Sequence, residues 1–296
     1  GIVGGNPELE LAVLEGITDE HRAKVRELLK GDFCSCKLIE NVATLYIVVE
    51  LTAGEHSALV EIQNTHKNIT RMQKDGVDCP GVTVTKEEKI QQSGDRSLLT
   101  VKNILEFADE VKLSEVEPIL TPQIECNMAI CREGLEHSYG AEVGRVLLEG
   151  YTDPPVHIRA RAYAAAGSDA RMNGCPMPVV IYAQEHSVPR EKLLRALVAA
   201  NLISIHQKSY IGSLSAYCGV VSAACGAACG ICYLLDYPYE VLCDTITNTI
   251  ATVGGMVCDG AKSSCASKIA TAVETALLGM KMGLHNRTFQ PGEGLV

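Results

Sequence analysis

Apolar residues Leu9, Ala12, Val13, Val25, Leu28 and Leu29 fall at helical spacing between Pro7 and Leu29, and Gly31 breaks the run. Val42 to Leu51 is instead rich in Val, Ile, Leu, Thr and Tyr. Ala58 to Thr65 resumes an alternating pattern after Thr52-Ala53-Gly54-Glu55, which predicts a β-hairpin. Gln63 to Thr70, with His66 and Asn68, reads as strand or loop. Gly76 to Gly94 is polar, holds Pro80, Gly81 and a charged run from Lys86 to Lys89, and reads as a connection. From Leu98 the period becomes helical: Leu98, Val101, Leu105 and Ala108 form one face, Ser114 is placed to cap a short piece, and Ile124 to Gly150 is helical with interruptions at Gly134 and Gly140. Pro154-Pro155 opens a helix running to Arg171, and Pro189 opens one from Arg190 to about Gln207. Three low-charge helices follow, over about 213–235, 239–254 and 261–282. Strands in front and helices behind predict an α+β chain, a mixed part over 1–120 and a helical part with the candidate chemistry over 121–296.

Composition sharpens this outline. The chain has 296 residues, 47% of them hydrophobic, yet only 4% are aromatic and none is Trp. Its core must come from Ala, Val, Ile, Leu, Gly and Cys, whose small side chains let helices approach closely. The net charge of −10 argues against nucleic acid or an anionic membrane as the main partner, because phosphate binding rests on Lys and Arg. Small molecules, protein partners and a homo-oligomer remain. The odd count of 13 cysteines, with no signal-like segment at the start, points to a reducing, cytoplasmic setting.

Ser209 to Leu235 carries no charge and is long enough to cross a bilayer, and Gly226 and Gly230 are spaced like a helix-dimer face. Its residues are Ala, Gly, Ser and Cys rather than Leu and Ile, and no basic asymmetry flanks it. We read it as a helix buried in a helical core.

Seven of the 13 cysteines lie between Cys218 and Cys265, beside Lys262 and Lys268. A thiolate-held metal centre needs such soft ligands, with lysines to lower thiol pKa and offset charge. Packing is the other use of such residues: Cys225, Cys229 and Cys232 share a helix face with Cys218. The Cys229-Gly230-Ile231-Cys232 pair lacks the second pair of a zinc site and points inward from a helix. Cys258 is different. Gly254-Gly255 and Gly260 place it in a loop between helices, where a thiolate is favoured.

Four segments carry a family resemblance. Leu214 to Gly219, Gly255 to Lys262, Ser264 to Lys268 and Ala166 to Met172 are similar to segments of the iron-sulfur L-cysteine desulfidases and their uncharacterised relatives, a family related to the α-chain of iron-sulfur L-serine dehydratases. The resemblance runs in order from Gly4-Gly5-Asn6-Pro7 to Gly292-Glu293-Gly294. It implies a 4Fe-4S cluster on three cysteines with one iron open to an amino acid, Cys218 and Cys258 matching as ligands and Cys265 as candidate third. The desulfidases take a third ligand from a Gly-Cys-Thr-Glu-Pro motif, which this chain lacks; Cys34 and Cys36 have other surroundings. A loop similar to Asn-Ser-Gly-Ser-Gly-Asn-Gln-Gly, expected after Ser168-Asp169-Ala170-Arg171, is replaced by Pro176-Met177-Pro178 leading into Val179 to Ala183, and the relatives continue past Gly292-Glu293-Gly294.

The implied chemistry is β-elimination on a small L-amino acid: L-cysteine to pyruvate, ammonia and sulfide, or dehydration of L-serine. The other reading is a binding or structural relative without the cluster. Arg171, beside Ser168 and Asp169, is a forked donor suited to a substrate carboxylate, or else a solvated arginine at a helix end. His206 can take the α-proton, or else be structural, and Lys262 and Lys268 can tune the cluster or face solvent.

Overall fold

The computed structural model describes residues 1–43, 45–65, 68–79, 95–170, 176–212, 215–258, 260 and 262–294. His66, the charged run at 86–89 and Arg171 lie outside them. The architecture is α+β, with a small antiparallel sheet near the start and a larger helical part behind it. The chain divides into two compact units, Gly1–Lys89 and Ile90–Val296. The division falls ahead of the expected place near Leu120, a residue buried within a long helix of the second unit.

In the first unit, the stretch expected to be helical from Pro7 splits into a short 3-10 turn, Pro7–Ala12, and α1, Asp19–Leu28. Thr18 starts α1 by accepting the His21 N–H while its own N–H donates to His21 Nδ1, a reciprocal cap that fixes the helix start. Four strands follow in the order β1-β2-β3-β4: Tyr46–Ala53, His56–Gln63, Ile69–Lys74 and Val77–Asp78. The hairpin expected around Gly54-Glu55 is present, with Ala53 opposite His56 and Ile47 opposite Ile62. Glu61 ties three strands together by accepting from Tyr46 Oη at 3.0 Å and Thr70 Oγ1 at 2.6 Å.

The second unit is helical: α2 Val101–Glu110, α3 Leu113–Glu136, α4 Val143–Leu148, α5 Val156–Ala170, α6 Pro176–Glu185, α7 Arg190–Ile211, α8 Gly219–Leu234, α9 Tyr239–Val253 and α10 Ser264–Leu284. Thr100 caps α2 by accepting the Asn103 N–H, and Ile104 and Ala108 form its buried face. Ser114 does not cap a separate piece. It lies inside α3, which continues through Pro118 and Pro122 because its face of Leu120, Met128 and Cys131 is buried in the core. Gly134 does not interrupt α3 either: a Cβ there would collide with the Ala166 carbonyl of α5, so glycine permits close approach. The Val179 to Ala183 run, for which the sequence suggested no helix, forms half of α6 and is buried throughout.

The uncharged segment becomes α8, the centre of this unit. It starts later than expected, at Gly219, and 12 of its 16 residues are buried, as befits a helix apolar on every side. Gly226 and Gly230 face α7 rather than another molecule. A Cβ at Gly226 would strike the Ala200 carbonyl and Ser204 Oγ, and one at Gly230 would come within 3.0 Å of Ala200 Cβ. Helix-dimer spacing thus serves contact within the chain. Among the described residues, no helix is long and apolar enough to cross a membrane.

Candidate functional site

The site begins where α8 begins. Residues 216–218 run antiparallel to residues 256–258 through an isolated bridge, Tyr217 to Val257. The Cys218 N–H donates to the Met256 carbonyl at 2.9 Å, and the Cys258 N–H donates to the Ala216 carbonyl at 2.7 Å. This pairing brings together two thiols that are distant in sequence. Cys218 stands at the N-cap of α8 and is 9% exposed, whereas Cys258 is open to solvent. Burial pushes the Cys218 thiol up, and the neighbouring Cys258 adds to this. The Val220 N–H and the Lys268 ammonium act in the opposite direction. Lys268 is held beside the bridge by donating Nζ to the Val257 carbonyl at 3.0 Å.

Cys265 lies in the first turn of α10, its thiol donating to the Gly260 carbonyl at 3.4 Å and accepting the Lys262 N–H at 3.5 Å. Lys262 thus reaches the site through its backbone. Cys218 and Cys265 line one cavity of about 200 Å³, walled by Ala164 of α5, Pro178 of α6 and small apolar residues of α8 and α10. On the other side of Cys218 is a second cavity of about 580 Å³, bordered by His206, Gln207 and Tyr210 of α7, Tyr217, and Ser222 of α8. His206 is half-buried. Burial lowers its pKa, the Leu99 carbonyl opposes this by accepting from the ring, and the Tyr210 ring meets it edge-on with centroids 5.2 Å apart.

Cys218, Cys258 and Cys265 carry the soft sulfur donors that an iron-sulfur cluster takes. Among the described residues, no three His, Cys, Asp or Glu side chains are grouped to hold one metal ion. A 4Fe-4S cluster distributes its thiolates over separate irons and does not need them at one point. Two of the thiols start helices, whose N-terminal N–H groups favour negative charge, and Lys268 stands beside the pair. The apolar cavity between Cys218 and Cys265 can shield an inorganic core from water.

The remaining predicted residues are placed less directly. Ser168 and Asp169 end α5, and neither lines the two cavities. Asp169 is buried and its Oδ2 accepts the Gly144 N–H of α4 at 3.1 Å. Burial raises its pKa, and the N–H groups of Gly144, Ala141 and Val143 oppose that. Arg171 falls outside the described residues. The cysteines read as packing do pack: Cys225, Cys229 and Cys232 are 0% exposed, and burial pushes the Cys225 and Cys232 thiols up to about 12. Sequence reasoning missed Gln207, Tyr210, Tyr217 and Ser222. The spacing of His206 and Tyr210 along one helix face was a usable signal; Tyr217 gave none, since its bridge is long-range.

The serine dehydratase alpha chain family matches residues 8–296, and the chain belongs to that lyase-type family. A UPF0597 protein of Lachnoclostridium phytofermentans is 46% identical over the whole of this chain and 74% of its own length. UPF0597 proteins of Treponema denticola and Desulfitobacterium hafniense are 38% and 40% identical, over the whole of this chain and 74% and 72% of theirs. The first alignment runs over 317 positions against a chain of 296, so residues inside the matched span of that relative have no counterpart here. No solved structure matches the chain.

Proposed function

We propose that this chain is an iron-sulfur-dependent lyase that carries out β-elimination on L-cysteine, giving pyruvate, ammonia and sulfide. The observation that supports the reading is that Cys218 meets the Cys258 segment across the bridge, shares a small apolar cavity with Cys265 and borders a larger chamber with His206. The three cysteines would hold a 4Fe-4S cluster. When bound, that cluster supplies a Lewis-acidic iron that draws electrons from the substrate carboxylate and leaving group. Lys268, fixed at the Val257 carbonyl, offsets the negative charge of the thiolates.

His206 takes the α-proton. Its lowered pKa keeps the ring neutral near physiological pH, and the Leu99 carbonyl engages one ring nitrogen as donor, leaving the other to accept. Arg171 receives the substrate carboxylate as a forked donor, with Ser168 and Asp169 preceding it at the end of α5. Lys262 supports the site through the N–H it offers to Cys265. Loss of the β-substituent leaves an enamine that water converts to pyruvate and ammonia. The match to a serine dehydratase alpha chain favours L-serine as the second substrate, with hydroxide in place of hydrosulfide as the leaving group.

Anaerobic reconstitution with iron and sulfide, followed by pyruvate assay on both amino acids, tests the reading. L-cysteine should give the higher turnover, and Cys258→Ala should abolish both iron binding and turnover. A Cys258→Ala variant retaining full elimination activity overturns it.

A further inference from the structure

The bridge between Tyr217 and Val257 also sets two thiols of unlike exposure against each other. Cys258 is exposed and Cys218 nearly buried, and both are free thiols. The two backbone hydrogen bonds of the bridge hold the segments in register, which makes Cys218 and Cys258 diagonal neighbours on one face. Cys265 is instead engaged with the Gly260 carbonyl and Lys262 N–H of its own loop. Cys225, Cys229 and Cys232 are sealed in the core. Among the described residues, the Cys218–Cys258 pair sets an open sulfur beside a shielded partner across a backbone bridge.

We propose that, in the chain free of its cluster, Cys258 is a site of oxidative modification and Cys218 is the thiol that resolves it. Hydrogen peroxide takes two electrons from the Cys258 sulfur: an S–O bond forms, the O–O bond breaks, and Cys258 becomes a sulfenic acid as water is released. The Cys218 sulfur then attacks that of Cys258. The S–O bond breaks, the hydroxyl leaves as water with the Cys218 proton, and a disulfide joins the segments. The result is a chain whose two ligand thiols are protected from further oxidation but cannot take iron until a reductant reopens the bond. This inference stands on the thiol pair and does not require the elimination chemistry, so either can fail without the other.

The test treats the full, cluster-free chain with limiting hydrogen peroxide, blocks remaining thiols and maps the linked peptides by mass spectrometry. The expected product carries a Cys218–Cys258 crosslink that dithiothreitol reverses. Cys218→Ser should instead accumulate a Cys258 sulfenic acid that dimedone captures, and Cys258→Ser should slow peroxide consumption about tenfold or more. A Cys258–Cys265 link, no link in the unsubstituted chain, or undiminished peroxide consumption by Cys258→Ser overturns the proposal. The peptide map of the unsubstituted chain decides the matter even where a variant folds poorly.

Discussion

The two units of this chain are held together in opposite ways. In the helical unit Ala, Val, Leu, Ile and Cys side chains fill a continuous core, and α8 is buried on nearly every side. In the first unit, no hydrophobic residue among those described is buried: α1 has none, and Ile47, Val49 and Leu51 on one face of β1 remain 40–51% exposed. Its order comes from the strand ladder, the Thr18–His21 cap and the bonds converging on Glu61. Burial of small apolar surface stabilises a helix packing from which even a methyl group is excluded. Backbone pairing without burial leaves a sheet tolerant of change.

The strongest way to break this contrast is to add bulk between α7 and α8. Gly226→Leu should destabilise the helical unit by about 3 kcal/mol or more, because the Ala200 carbonyl cannot move away without disturbing its own helix. Chemical denaturation followed by helical circular dichroism measures it. A variant as stable as the parent would mean that the interface is loose.

Cysteine substitutions sharpen the same contrast within the helical unit. Cys229→Ala, at a fully buried position between α8 and α9, should cost about 1–2 kcal/mol and leave iron binding intact. Cys258→Ala, at an exposed position, should change stability by less than about 0.5 kcal/mol and lose the iron. Unfolding curves and iron analysis of the same reconstituted samples separate packing from ligation, and exchanged outcomes would reverse the assignment.

A smaller effect is expected with pH. Asp169 has its carboxyl pKa raised by burial, so the folded chain holds that proton more tightly than the unfolded chain. Its contribution to stability is complete below the ordinary carboxyl value of about 4 and is lost as pH rises through the folded value. Asp169→Asn removes this dependence. The stability of the variant relative to the parent should therefore increase from about pH 4 upward and then level off. A constant difference would contradict the raised value. The smallest effect is expected in the sheet: Val49→Thr, 51% exposed, should shift stability by no more than about 0.5 kcal/mol.

Much of this was legible in the sequence because it is local. Alternation marked the hairpin; helical spacing and bordering prolines marked α2, α5 and α7; and the lack of charge and aromatics foretold a buried, closely packed α8. Misjudged positions were those where a distant partner overrides a local rule. Gly134 looks like an interruption and Ser114 like the cap of a short piece until α5 and the core are present, and the Pro176-Met177-Pro178 run looks irregular until its helix is enclosed.

For the site, the sequence by itself set Cys258, in a loop after a glycine pair, apart from Cys225, Cys229 and Cys232, which repeat along a helix face; Cys218 was placed on that same face and stood out through the family resemblance. Tertiary structure alone decided that Cys218 and Cys258 meet, that Cys265 shares a cavity with Cys218, and that His206 stands in the chamber on its other side. The physical reason is range: spacing fixes which way a side chain leaves its own helix or strand, whereas the meeting of two segments depends on how every intervening helix packs.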